Sequence, residues 1–336
     1  MTYRRPNKPP SSSNDVKALV AQELCGPSGL DYIDVADPVP SPDSVLVDVR
    51  AAGVCYPDLL LIGGQYQLKI EPPFIPGTEV AGVVRSAPQG SGFASGDRVC
   101  GMVMLGGYAE QANIPLSSVM PTQAELDDGQ AVSLLVNYVT MYFALARRAA
   151  LRPGETVLVL GSAGGVGTAA IQVAKAMGAR VIAVLHREQA LDFVSGLGAD
   201  AVIPLTDGWS KVVREHTGGR GADVVVDPVG GEPFDEAVRA LATEGRLLVL
   251  GFAAGSIPAV KVNRLLLRNV GVLGVGWREF VMANPDAQAQ YGRGVGELVA
   301  AGLRPPAPQR YPLSGGRAAL ESLAAGGVYG KVVLEP

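Results

Sequence analysis

The string Gly161-Ser162-Ala163-Gly164-Gly165-Val166-Gly167 restricts the possible fold more than any other part of this chain. It follows an apolar segment, Thr156 to Gly161, that reads as a buried strand, and it opens a helical pattern running from Val166 to Met177. A strand that turns through glycines into a helix is the start of a βαβ unit. In that setting Gly164 lets the backbone approach a pyrophosphate and Gly167 permits close packing of helix on strand. The free N–H groups at the helix start supply donors and the positive end of a dipole. Ser162 stands where the usual G-x-G-x-x-G pattern has its first glycine. Ser162, Ala163, Gly164, Gly165, Val166 and Gly167 are therefore expected to hold a dinucleotide.

The kind of dinucleotide is decided about 20 residues further on, where an NAD site places a carboxylate at the end of the second strand. Here the strand Arg180 to Leu185 ends in His186 and Arg187. A cation stands where a 2′-phosphate lies, and Lys175 on the glycine-loop helix offers a second charge, so the residues favour NADPH. The competing reading has Glu188 accept from the ribose while Arg187 is merely solvated.

Strands and helices alternate from Thr156 onward: helix Glu188 to Leu197, strand Ala201 to Pro204, helix Trp209 to His216, strand Asp223 to Asp227, helix Pro233 to Ala242, then strands Gly245 to Gly251 and Val270 to Val275. This pattern predicts an α/β fold with a doubly wound parallel sheet covered on both faces. Before it, short β-rich segments broken by Pro and Gly describe a second module, and the final strand Gly330 to Leu334 is expected to return to it. The domains expected are a disordered extension at 1–15, a discontinuous β-rich domain at 16–134 and 276–336, and a cofactor domain at 135–275. A helix is expected over Ala131 to Ala149.

Composition narrows the function. The sum of 28 Lys and Arg against 32 Asp and Glu is −4, without the basic surface that nucleic acid requires. Three cysteines and two histidines lack the close spacing of a zinc site. No signal-peptide core precedes the fold, and no uninterrupted apolar run reaches a membrane span. The expectation is a cytoplasmic enzyme with no metal, no nucleic-acid partner and no membrane.

Further motifs appear in a fixed order: Gly77-Thr78-Glu79-Val80-Ala81-Gly82-Val83-Val84, Gly96-Asp97-Arg98-Val99, the glycine loop, and Gly330-Lys331-Val332-Val333-Leu334. This series resembles the medium-chain dehydrogenase/reductase superfamily, and within it the zinc-independent quinone oxidoreductase (zeta-crystallin-like) branch. The resemblance implies a Rossmann NADP-binding domain and a GroES-like catalytic domain. It also marks departures from the zinc enzymes: Thr78 replaces their histidine ligand, Asn137 falls near a third ligand position, and Cys55 survives alone.

Without a Lewis acid, the resemblance implies hydride transfer from NADPH to an electron-poor acceptor, a quinone or an α,β-unsaturated carbonyl. The segment Cys55 to Asp58 and Tyr66 would wall the acceptor site, with Tyr66 the hydrogen-bond donor, while Asn137 and Thr140 lie by the nicotinamide. Val229, Gly251, Phe252, Ala253 and Lys331 complete the cofactor contacts. Cys55 also reads as a small buried hydrophobe, and Asp58 and Glu79 as structural acids pairing with cations such as Arg98 or Lys331. The alternatives are an enone or enoyl-CoA reductase, or an NADPH-binding protein with little turnover. The apolar edge Asn269 to Gly276 predicts a homodimer.

Overall fold

The computed structural model describes residues 15–336. The extension expected at 1–15 lies outside the described residues except for Asp15, which already begins a strand. Fifteen strands follow in order: β1 (Asp15–Ala21), β2 (Leu30–Ala36), β3 (Ser44–Val54), β4 (Glu79–Ser86), β5 (Arg98–Met102), β6 (Gln111–Pro115), β7 (Met120–Pro121), β8 (Thr156–Val159), β9 (Arg180–Leu185), β10 (Ala201–Pro204), β11 (Ala222–Asp227), β12 (Leu241–Val249), β13 (Gly271–Gly274), β14 (Gln309–Pro312) and β15 (Val332–Glu335).

The chain forms two units. The first comprises the residues up to Pro121, Arg310–Ala324 and Val333–Pro336; the second comprises Thr122–Gln309 and Ala325–Val332. In the first, β1 and β2 pair antiparallel, and a second sheet runs β14-β15-β3-β4-β5-β7 with β6 on β3. The last strand thus returns beside β3, as its sequence predicts. β3 and β4 bury Val45, Val47, Val49, Val80 and Val84, and Leu46, Ala52 and Ala81 between them are buried too, so both faces of these strands are covered along much of their length. Sequence patterning did not anticipate β2, β7, β14 or the helices Tyr56–Ile62 and Gly316–Ala324.

The second unit holds a six-stranded sheet in the order β10-β9-β8-β11-β12-β13 with every neighbouring pair parallel. Its central strands are fully buried runs such as Val157-Leu158-Val159 and Val224-Val225-Val226, as expected where helices cover both faces. Strand order reverses between β8 and β11, and a crevice at the carboxyl end of such a switch point is where open α/β sheets take ligands.

The helix predicted over Ala131 to Ala149 spans Asp128–Arg148. Asp127 caps it, accepting from the Gln130 N–H at 2.8 Å, and it contains two π-helical stretches, Leu134–Tyr138 and Phe143–Arg148. By length and composition this helix matches a membrane span, yet Leu135, Tyr138, Met141, Phe143 and Leu145 are buried inside the unit. Phe143 meets Trp277, Phe280 and Tyr291 with ring centroids 4.6 to 5.4 Å apart. That aromatic cluster draws helices Trp277–Ala283 and Ala287–Ala300 into the second unit, so the boundaries differ from those expected at 134/135 and 275/276.

Candidate functional site

The glycine loop sits at the carboxyl end of β8 and opens the helix Gly165–Ala176. Gly164 is the N-cap in extended conformation, and the first helical bond runs from the Thr168 N–H to the Gly164 carbonyl at 2.8 Å. The N–H groups of Val166 and Gly167 therefore have no intrahelical acceptor, while that of Gly165 faces the Gly330 carbonyl across a parallel bridge. The glycines meet different constraints. A methyl on Gly167 would lie 2.2 Å from the Gly161 carbonyl oxygen, and one on Gly165 would lie 2.4 Å from Asn137 Nδ2. A methyl on Gly164 would meet nothing nearer than 3.5 Å. Ser162 is buried and its hydroxyl donates to the Val184 carbonyl at 2.8 Å, tying the loop to β9. The Thr168 hydroxyl beside the loop is buried without a partner.

Two further loops meet this one. Asp227, fully buried at the end of β11, accepts through Oδ1 from the N–H groups of Val229 and Gly230, both at 2.9 Å. Burial raises its pKa, and the two N–H donors counter part of that shift. The second oxygen, Oδ2, is buried without a partner. The Ala253 and Ala254 N–H groups donate back to the carbonyls of Pro228 and Val229, so the turns after β11 and β12 form one framework. A methyl on Gly161 would touch Val229 and Pro228, which places this framework against the glycine loop. Gly251 is half-buried, while Phe252 and Ala253 are exposed. The turn Asp227 to Gly231 is legible in the sequence as a sheet-end turn on the ligand-binding edge, but not the part of Asp227 in it; an Asp before Pro-x-Gly-Gly, a turn whose backbone N–H groups an Asx side chain caps, is the available signal.

At the end of β9, His186 is exposed and Arg187 half-buried. The Arg187 guanidinium donates to the Gly326 carbonyl and lies 5.5 Å from the centroid of the Tyr329 ring. Lys175, expected at the cofactor, lies elsewhere. It belongs to the last turn of its helix, about 12 Å along the axis from Gly167 at 1.5 Å per residue. There it pairs with Asp200 at 2.8 Å, at the amino end of the strands and away from the glycine loop. Asn137 and Thr140 lie on the long helix, with Asn137 buried against Gly165, and Lys331 is buried just before β15.

Cys55 and Tyr66 belong to the first unit. Cys55 is buried, and its thiol donates to Glu79 Oε2 at 2.7 Å. Its N–H donates to Asp58 Oδ2 at 2.8 Å, which caps the helix Tyr56–Ile62; Asp58 Oδ2 also accepts from the Tyr108 hydroxyl at 2.7 Å. Burial and the neighbouring Asp58 push the Tyr108 pKa well above its ordinary value. Tyr66 is half-buried in the segment after that helix. Among the described residues, no three His, Cys, Asp or Glu side chains form a group able to hold a metal.

The second unit fits a phosphorylated dinucleotide: free helix N–H groups, a glycine that leaves room for a phosphate, an unpartnered threonine hydroxyl beside the loop, and a cation at the end of β9. The family model described as Zinc-binding dehydrogenase matches residues 165–289, and that described as Alcohol dehydrogenase GroES-like domain matches residues 41–124. The chain belongs to the medium-chain dehydrogenase/reductase superfamily.

Within that superfamily it is 38% identical over 272 residues to the Quinone oxidoreductase-like protein 2 of Bos taurus, spanning 80% of this chain and 77% of that one. A probable oxidoreductase from Mycobacterium abscessus superposes with TM-score 0.90 at 57% identity, covering 97% of this chain and 100% of that one. The quinone oxidoreductase from Thermus thermophilus, solved also in complex with NADPH, superposes with TM-score 0.79 at 33% identity over 95% and 100% of the two chains.

Proposed function

We propose that this protein is a zinc-independent, NADPH-dependent reductase that delivers hydride to a quinone, working in the cytoplasm as a homodimer. The observation that carries the cofactor reading is the glycine loop coupled to a cation, Arg187, at the end of β9 where NAD sites place a carboxylate. The likeness to quinone oxidoreductases, one of them solved with NADPH, supports both cofactor and acceptor. Thr78 supports the zinc-independent reading, because it has no imidazole at the position where the zinc enzymes carry a ligand.

Bound NADPH supplies hydride from its nicotinamide ring. The chain's own part is positional. The N–H groups of Val166 and Gly167 grip the pyrophosphate, with Gly164 and Gly165 keeping its approach clear of side chains, and Arg187 takes the 2′-phosphate. The Asp227-capped turn presents Val229 to the nicotinamide half together with Gly251 to Ala253. Tyr66 donates a hydrogen bond to an acceptor oxygen. Cys55, with its thiol committed to Glu79, shapes the acceptor wall without acting as a nucleophile.

Steady-state oxidation of NADPH and NADH with quinones, enones and short enoyl-CoA thioesters tests this reading. Quinone turnover with NADPH at the highest kcat/KM supports it. Preference for an enoyl-CoA moves the protein to the enoyl reductases, and tight NADPH binding without turnover on any acceptor makes it a cofactor-binding protein.

A further inference from the structure

We infer that Tyr329, carried by the segment 326–330, is a specificity-determining residue for the 2′-phosphate of the dinucleotide, acting by holding Arg187 in its binding position; this rests on the cofactor reading above.

The segment lies directly against the phosphate loop. The Gly330 N–H donates to the Ala163 carbonyl at 2.8 Å, and Gly330 forms a parallel bridge with Gly164. Gly330 adopts a φ of +66°, and a methyl there would lie 3.2 Å from the Phe193 ring. A glycine at this position lets the chain turn and brings Tyr329 over Phe193, with ring centroids 5.7 Å apart and planes at 25°. On Tyr329 rests the Arg187 guanidinium, which also donates to the Gly326 carbonyl.

The nature of these partners points to a ligand. Lys175 is neutralised by Asp200 and Arg246 by Glu155, but among the described residues Arg187 forms no ion pair with a carboxylate. It is held by a carbonyl and an aromatic face, both uncharged. Of the five guanidinium N–H groups, one serves Gly326 and the charge remains uncompensated. A long side chain fixed by neutral contacts keeps its full charge for an incoming dianion and loses little freedom when that dianion binds. The phosphate group distinguishes NADPH from NADH, so weakening the platform should cost affinity for one cofactor and spare the other.

The test is equilibrium binding of NADPH and NADH to the full chain by titration calorimetry, with circular dichroism to confirm folding. Tyr329→Leu and Tyr329→Gln each remove the ring while keeping bulk, so either folded variant serves; Tyr329→Phe keeps the ring. Removing the ring should raise the NADPH Kd roughly threefold to tenfold, in line with a lost cation–π contact, and leave the NADH Kd within about twofold. Tyr329→Phe should match the parent. Arg187→Ala should raise the NADPH Kd by at least about tenfold. If the ring-removing variants weaken both cofactors equally, or neither, while Arg187→Ala remains selective, this inference is overturned and the cofactor reading stands. An unchanged NADPH to NADH ratio in Arg187→Ala overturns both.

Discussion

Gly164 and Gly167 lie three positions apart in one loop and should fail differently when a methyl is added. On Gly167 the methyl meets fixed backbone at 2.2 Å, so Gly167→Ala should destabilise the fold by about 1 to 3 kcal/mol, read as a lower thermal midpoint. Gly164 has a φ of −79° that any residue adopts, and its methyl makes only an ordinary contact. Gly164→Ala should melt like the parent and bind NADPH at least about tenfold more weakly, because the methyl occupies the approach used by a phosphate. Equal melting losses in the two variants would refute this division of roles. Tyr66→Phe belongs to the same scale. If Tyr66 is the donor proposed for the acceptor oxygen, its loss should lower kcat about threefold to tenfold with the NADPH Kd unchanged. A fall in cofactor affinity instead would move Tyr66 out of the acceptor site.

A part-buried ion pair ties β12 to the residue that precedes β8. Arg246 on β12 donates from both terminal nitrogens to the two oxygens of Glu155, each at 2.9 Å, and also to the carbonyls of Ala149 and Asp223. Burial raises the Glu155 pKa, but the hydrogen bonds from Arg246 and the Arg152 N–H, with their charges, outweigh it and leave the carboxyl below its ordinary value of 4.5. A depressed folded-state pKa contributes stability that is present above 4.5 and lost as pH falls through the lower folded value. Arg246→Ala should cost about 2 kcal/mol at pH 7 by denaturant unfolding, and the gap to the parent should narrow at pH 3. A gap of the same size at both pH values would show that the carbonyl contacts, and not the ion pair, carry the effect.

For the whole molecule, the proposed dimer rests on the edge of the parallel sheet. The edge strand β13 contains no charge or proline, with Val272 and Leu273 half-buried, and Val262, Leu266, Leu267 and Met282 are exposed apolar residues in the neighbouring sequence. An unprotected edge of this kind favours pairing with a second copy. Light scattering at micromolar concentration should give twice the chain mass of 34.7 kDa, and a monomer would defeat the dimer reading. Elemental analysis should find no stoichiometric metal, with quinone turnover insensitive to chelators. One zinc per chain, with chelator-sensitive alcohol oxidation, would require a new account of Cys55.

Local chemistry was legible from the residues in order. A glycine loop between an apolar strand and a helix dictates its own backbone path, and the β-α alternation around it dictates a parallel sheet, because both depend on neighbours a few positions apart. The cation at the end of β9 was visible for the same reason. Lys175 was misread because spacing along a helix does not reveal that Asp200 on a later segment takes its charge. The partners of Arg187 lie 139 residues or more away, and only folding of the chain end onto the glycine loop brings Gly326 and Tyr329 there. Likewise, helices 277–300 join the second unit because Phe143 offers them an aromatic surface. Residue identity and short-range spacing determined the cofactor loop; long-range packing decided which charges remain free to use it.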